Sequence, residues 1–217
     1  MKVSCGLEYA VMKNGVAILR GIGNCLDEHI VIPSVVKGYP VVGIEEKAFL
    51  RSTFIKSVTI PASVKFVGDQ AFAWCRELTE IKLTSTTEIG ERAFMGCDKL
   101  SSVDLGNSLE LIGAKAFAYC PSLNSVKIPE TVIRLGSASF EGCRNLCSIS
   151  LSNGIKIIEN NTFYACEKLF DIKLPDCLEY IDEYAFAYCS SLVNTNIPSK
   201  TVINNDAFFE CSNRKAS

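Results

Sequence analysis

The sequence of 217 residues contains few of the side chains on which most enzymes and metal sites depend. It has one histidine, His29, which disfavours histidine-based catalysis and sites with several histidine ligands. Its 22 basic and 24 acidic residues leave no positive excess to neutralise nucleic-acid phosphates. Neither a G-x-x-x-x-G-K phosphate loop nor a G-x-S-x-G nucleophile motif occurs. The sequence therefore argues against an enzyme, a cofactor and a nucleic-acid partner.

Long apolar runs are also missing. The N-terminus, MKVSCGLEYAVMKNG, lacks the apolar run of about 7–15 residues that a signal peptide requires. No stretch approaches the roughly 18 apolar residues of a membrane span, so we expect no direct membrane insertion. Two origins stay open: a cytoplasmic protein, or a chain without its leader and anchor.

The dominant feature of the sequence is a repeat of 22–23 residues. Each unit has a phenylalanine after a small residue and, except in the first unit, a cysteine three residues later. Apolar residues six, nine and eleven positions after the phenylalanine form an L-x-x-I-x-L pattern, typical of leucine-rich-repeat strands. The phenylalanines are Phe49, Phe72, Phe94, Phe117, Phe140, Phe163, Phe186 and Phe208, and the cysteines are Cys75, Cys97, Cys120, Cys143, Cys166, Cys189 and Cys211.

This pattern predicts a solenoid, because one unit cannot bury its apolar face alone and stacked units form a continuous core. We expect an α/β fold: a single right-handed leucine-rich-repeat solenoid with a parallel concave β-sheet and short helical turns or irregular structure on its convex side. The A-F-x-x-C segment is predicted to form the helical turn. The sheet strands are predicted at 56–60, 79–83, 101–105, 124–128, 147–151, 170–174 and 193–197. Weaker second strands or turns are predicted around Val67, Ile89, Ile112, Leu135, Ile158 and Ile181.

The first 45 residues differ from the repeat and are predicted to cap the core. Leu7, Tyr9 and Val11 alternate with polar or small residues, and Asn14-Gly15 is a strong tight-turn signal, so we expect a β-hairpin here. The first solenoid strand follows, with an inserted turn at 37–40. We treat 1–45 as the cap and first strand, continuous with the repeats of 46–217, in one structural domain.

At the C-terminal end, the last unit lacks its strand leucine. Arg214 stands six residues after Phe208, so 193–197 is predicted to be the last rung of the sheet. Its edge would expose unpaired backbone groups. We therefore expect a monomer or weak end-to-end association.

The repeat cysteines are interpreted as small, buried and reduced hydrophobic residues. The only closely spaced pair is Cys143 and Cys147, at a C-x-x-x-C spacing, so no clustered thiols indicate a metal site. Disulfides between neighbouring units are a weaker alternative. Parallel stacking points the side chains in the same direction, and seven thiols cannot all pair.

The outward positions of the predicted sheet form a polar face with charges of both signs. We predict partner contacts there at Glu80, Lys82, Asp104, Lys127, Asp171 and Lys173. A neighbouring column becomes apolar at Cys147, Phe170 and Val193, and we add Phe170 and Val193 to the candidate contacts. A solubilising face without a partner stays an alternative, and the apolar residues could instead lie beneath a local loop.

The repeats resemble the BspA-like, or Treponema-type, leucine-rich repeat family over about residues 26–211. The resemblance rests on IPASVKFVGDQAFAWC (60–75), IPETVIRLGSASFEGC (128–143) and LPDCLEYIDEYAFAYC (174–189). It implies a non-catalytic binding or adhesion module of a bacterial cell-surface or secreted protein. A protein or glycan would bind the concave face, with a host matrix protein as one possibility. The alternative is an intracellular scaffold, which the many thiols would suit.

Overall fold

The computed structural model describes residues 2–193 and 195–211, which fold as a β-solenoid with parallel sheets on two faces. One face, here the front, carries three-residue strands at the predicted L-x-x-I-x-L positions. They are β3 (His29–Val31), β6 (Ser57–Thr59), β8 (Glu80–Lys82), β10 (Ser102–Asp104), β12 (Ser125–Lys127), β14 (Ser148–Ser150) and β16 (Asp171–Lys173). The first six predicted front strands are confirmed, each shorter than predicted, and their pairing is parallel.

The back face carries the predicted weaker strands, which are also confirmed and also pair in parallel. Each has two residues, because the chain turns toward the A-F segment directly after the inward apolar residue. The six predicted strands are β7 (Phe66–Val67), β9 (Glu88–Ile89), β11 (Leu111–Ile112), β13 (Arg134–Leu135), β15 (Ile157–Ile158) and β17 (Tyr180–Ile181). A seventh, β18 (Val202–Ile203), is not among the predicted strands and pairs in parallel with β17.

The predicted N-terminal hairpin covers the first end of the back sheet. Strands β1 (Glu8–Val11) and β2 (Ala17–Gly21) pair antiparallel, and Gly15 takes the positive φ of 81° that its turn requires. Strand β2 then pairs in parallel with β5 (Tyr39–Ile44), and the inserted turn folds β4 (Val35–Val36) back onto β5. The hairpin thus supplies hydrogen-bond partners to β5, which would otherwise be the edge strand of the back sheet.

The predicted helical turn at A-F-x-x-C is wrong, and the described residues contain no helix. Around Phe140, the N–H groups of Ala138, Phe140 and Gly142 donate to carbonyls of the next coil, at 2.8–2.9 Å. The intervening N–H groups donate three residues back within the coil. In an α-helix, N–H groups beyond the first turn donate to the carbonyl four residues back in the same helix. A continuous ladder of hydrogen bonds between coils therefore requires a different backbone conformation.

This alternation requires left-handed backbone two residues before and two residues after most of the core phenylalanines. Non-glycine residues hold φ between 53° and 62° at these positions: Lys47, Arg51, Gln70, Trp74, Arg92, Lys115, Tyr119, Ala138, Asn161, Ala165, Tyr184, Tyr188 and Glu210. Such a conformation costs roughly 1 kcal/mol or more per non-glycine residue. The hydrogen bonds between coils offset that cost.

The core is a stack of phenylalanine rings beside a stack of thiols. Successive rings from Phe49 to Phe208 lie 4.9–5.8 Å apart with interplanar angles of 3–19°. Each repeat thiol donates to the carbonyl of the core phenylalanine in the preceding coil, as Cys166 Sγ does to Phe140 O at 3.3 Å. Six of the seven repeat cysteines are buried, as predicted, whereas Cys211 is half-buried. No disulfide joins any of the cysteines, and their reduced state stays a prediction.

A glycine column before the A-F pair allows the coils to approach closely. A Cβ at Gly113 would lie 2.6 Å from the carbonyl carbon of Gly90, and one at Gly136 would lie 2.5 Å from the nitrogen of Ala114. Neither Gly113 nor Gly136 has a positive φ. Space, not backbone conformation, therefore explains glycine in this column.

The predicted rung at 193–197 is wrong: residue 194 lies outside the described residues, and 195–197 form no strand. The Ile197 N–H instead donates to Thr195 O at 2.9 Å, a local bond. Thr195 stands where other units place Ile or Val and supplies less apolar surface to bury. Within the described residues, the front sheet ends at β16, while the back sheet continues to β18.

Candidate interaction surface

The front strands hold the predicted charged residues at one exposed face. Parallel register places Lys82 beside Asp104, and their Nζ and Oδ2 atoms lie 3.6 Å apart. The two side chains are 71% and 56% exposed, so this pair contributes little stability and remains available to a partner. Lys127 and Lys173 flank Ser150 on the two adjacent strands. Glu80 and Asp171 are exposed at the first positions of β8 and β16.

Two shallow depressions lie along this face. The first, of about 390 Å³, includes Thr59, Glu80, Lys82, Ser102 and Asp104 in its wall. The second, of about 260 Å³, lies between β10 and β12; its lining includes Asp104, Lys127, Val103, Gly106 and Pro129. The structure therefore joins Glu80, Lys82, Asp104 and Lys127 into one region. Asp171 and Lys173 lie beyond it on β16.

An interruption of the front sheet produces the second depression. Within the described residues, no backbone hydrogen bond joins 101–105 to 124–128, although both neighbouring junctions are paired. Val103 is only half-buried, whereas the corresponding Ile81 and Val126 are buried. Gly106, with φ of 62°, replaces the proline that follows the strand in several other units. Loss of the proline does not by itself predict the interruption, because Thr84 and Ser152 also replace it and the strands before them, β8 and β14, pair on both sides.

The apolar residues proposed as a second contact are exposed. Phe170 immediately precedes β16 and is 55% exposed, and Val193 is 53% exposed. The Phe170 N–H donates to Cys147 O at 3.1 Å, so the two residues occupy neighbouring coils. Cys147 itself is half-buried. Among the described residues, no loop covers Phe170 or Val193, contrary to the alternative of a shielded patch.

Sequence reasoning missed a third depression, under the N-terminal hairpin. It measures about 390 Å³ and is lined mainly by apolar residues, including Leu7, Val11, Pro33 and Val36. Tyr9 also lines it, and its buried hydroxyl has no hydrogen-bond partner among the described residues. Burial raises the pKa of Tyr9 to about 12, so it stays neutral at physiological pH.

The described residues provide no group of three or more His, Cys, Asp or Glu side chains placed to hold a metal ion. They also include no helix long and apolar enough to cross a membrane. His29, the single histidine, contacts Ser57 Oγ at 2.8 Å through Nδ1 on the exposed front face.

The repeat architecture and the sequence together decide the family. The family model described as BspA type leucine rich repeat region matches residues 42–132 and 110–216, in six copies. The chain belongs to the BspA-type leucine-rich repeat family. Comparison with curated proteins gives no significant match.

Solved structures include bacterial relatives of this BspA-type chain. It is 29% identical to the T. pallidum leucine-rich repeat protein, with a TM-score of 0.81, covering 87% of this chain and 89% of that one. A leucine-rich repeat protein from Bacteroides ovatus is 31% identical, with a TM-score of 0.84. The match covers 95% of this chain and 60% of that one. A leucine-rich cell surface protein from Faecalibacterium prausnitzii, 23% identical with a TM-score of 0.51, shares the fold, over 97% and 86% of the two chains.

Proposed function

We propose that this BspA-type solenoid is a non-catalytic adhesion module that binds a protein or glycan of a host or cell surface through its front face. The observation that carries the proposal is the continuous exposed array of Glu80, Lys82, Asp104 and Lys127 around the two depressions. Solenoids commonly bind through such extended sheet surfaces. Charges of both signs favour a polar partner with complementary charges rather than an apolar one.

Binding to purified matrix proteins tests this function. Immobilised collagen, laminin and fibronectin would be presented to the wild-type chain and to a Lys127→Glu/Lys173→Glu variant. We expect binding to one of them and at least about tenfold weaker binding by the variant, because each reversal replaces an attraction by a repulsion. Both lysines are exposed, so the melting temperature should change little.

A Lys99→Glu/Lys156→Glu variant is the matched control. It makes the same change in net charge at exposed lysines outside the front strands. Equal weakening by both variants would indicate nonspecific attraction. Undiminished binding by the front-face variant would contradict the assigned site and move attention to Phe170 and Val193. No binding to any matrix protein would contradict that class of partner.

The thiols favour a second candidate, an intracellular scaffold. All eleven cysteines are free, and free thiols persist in reducing compartments. Fractionation of the producing cells, with detection by a specific antibody, distinguishes the two functions. Recovery only from the cytoplasm would contradict the adhesion proposal, whereas surface exposure to added protease would contradict the scaffold.

A further inference from the structure

Four aromatic rings outside the core cluster on the turn side of the last coils. Tyr164 and Tyr188 have ring centroids 5.2 Å apart at 70°, and Tyr188 and Phe209 lie 5.7 Å apart at 74°. Tyr184 meets Phe209 at 6.0 Å and 89°. Each ring is thus steeply inclined to the next, and Tyr188 and Phe209 remain 40% and 43% exposed. We call Tyr164, Tyr184, Tyr188 and Phe209 the end patch.

The fold does not require aromatic side chains at these positions. Tyr184 and Tyr188 lie two residues before and after Phe186, where the first coil places Lys47 and Arg51 with the same left-handed backbone. Lys47 and Arg51 are exposed and charged. Tyr164 and Phe209 directly follow their core phenylalanines, a position where several other coils have alanine. The end patch is therefore an addition to the repeat, and packing of the Phe column does not account for it.

The surroundings of the end patch are negative. Within the described residues, neither Glu183 nor Asp206 forms an ion pair, although acids of preceding coils do so, such as Glu159 with Arg134. The charge of Asp206, then burial and the charge of Glu183, raise the pKa of Tyr184, which places both carboxylates within electrostatic reach of the patch. Exposed aromatic rings attract cations, and so do carboxylates that form no ion pair among the described residues.

We propose that the end patch binds an arginine or lysine side chain of a basic peptide segment of a partner protein. The cation would rest on the exposed faces of Tyr188 and Phe209, with Glu183 and Asp206 supplying the charge. An exclusively apolar partner would leave those carboxylates without compensation, which is why we assign a basic one. This surface is separate from the front face, so each surface can be tested alone.

Fluorescence polarisation with a labelled Gly-Arg repeat peptide tests the proposal on the full chain at low salt. We expect binding that the corresponding Gly-Glu peptide lacks. Tyr188→Leu/Phe209→Leu should weaken it about fivefold to tenfold, because it keeps apolar surface but removes both ring faces. Glu183→Gln/Asp206→Asn should weaken it by a similar factor and reduce its salt dependence. Circular dichroism would verify that each variant is folded.

Two variants serve as controls. Phe170→Leu removes a more exposed ring, from the front side, and Lys127→Glu/Lys173→Glu changes the face of the proposed function. Neither should weaken binding of the arginine peptide. Equal affinity of wild type and the Tyr188→Leu/Phe209→Leu variant would overturn the assignment. So would equal binding of the arginine and glutamate peptides. The front-face variant separates failure here from failure of the adhesion proposal.

Discussion

The buried thiol column should make this solenoid unusually sensitive to alkali. Burial holds the pKa of the Cys75 and Cys143 thiols at about 12 and raises those of the other four well above the usual thiol value of 9.0. In the unfolded chain these thiols would ionise near their ordinary value. The six are Cys75, Cys97, Cys120, Cys143, Cys166 and Cys189.

Stability should fall as the pH rises, because the folded state holds the thiol protons more tightly than the unfolded state. Because the folded pKa is raised, the stabilising contribution of each thiol is complete below pH 9 and is lost as the pH rises toward the folded value. At pH 10 an unfolded thiol of pKa 9.0 gains about 1.4 kcal/mol by ionising, whereas the buried thiol stays neutral. Six thiols together give a loss of about 8 kcal/mol. Typical domains have only about 5–15 kcal/mol of stability in total.

Urea unfolding between pH 7 and pH 10.5, in the presence of a phosphine reductant and followed by circular dichroism, measures this loss. The slope of the unfolding free energy against pH, divided by 2.303RT, gives the number of protons released on unfolding, and above pH 9.5 it should approach about six per chain. Cys143→Ser should lower the slope by about one proton, whereas Cys177→Ser, at an exposed thiol, should leave it unchanged. A wild-type slope below two protons would refute the argument that ionisation requires the column to open.

Three further expectations concern the same core. Phe140→Ala should reduce the unfolding free energy in urea by about 3–5 kcal/mol, because it leaves a cavity in a continuous ring stack; a loss below 1 kcal/mol would show that the column collapses around the gap. Gly113→Ala should lower the unfolding free energy by about 1–3 kcal/mol in the same assay, because its new Cβ meets backbone atoms rather than a movable side chain. Gly154→Ala should cost less, because the nearest atom to its new Cβ, the carbonyl oxygen of Val132, lies 3.2 Å away. Ellman's reagent should rapidly label two thiols of the native chain and reach the seven buried ones only after denaturation; rapid labelling of more than four would contradict the burial of the column. The two exposed thiols are Cys5 and Cys177.

The sequence was sufficient to predict the residues that face the core. Inward positions recur at every 22 or 23 residues because each must contact the same position of the coils before and after it. Phe117 and Cys120 could be assigned to columns without knowledge of their coordinates. The strand segments follow from the same register, as the parallel pairing of Val126 with Ile149 shows.

The conformation between those columns could not be read from the repeat. A phenylalanine and a cysteine three residues apart fit one face of a helix as well as they fit the turns that the structure contains. The two alternatives differ in where the backbone donors point, as at Ala138 and Gly142, and side-chain patterns do not report this. The lost rung at 193–197 has a signal in the sequence, the polar Thr195 at an inward position, but the regular spacing favours a strand there.

Functional specificity in such a molecule must arise from positions where the repeat is broken or extended. The stacked core makes neighbouring coils alike, so it can hold outward side chains rigidly but cannot distinguish one partner from another. The front sheet is interrupted beside Asp104, and Tyr188 with Phe209 adds rings that the core does not use. These departures lie on different sides of the solenoid. The two proposed surfaces would let one chain engage two partners at once, or one partner that reaches around its edge, and the paired front-face and end-patch variants would separate these cases.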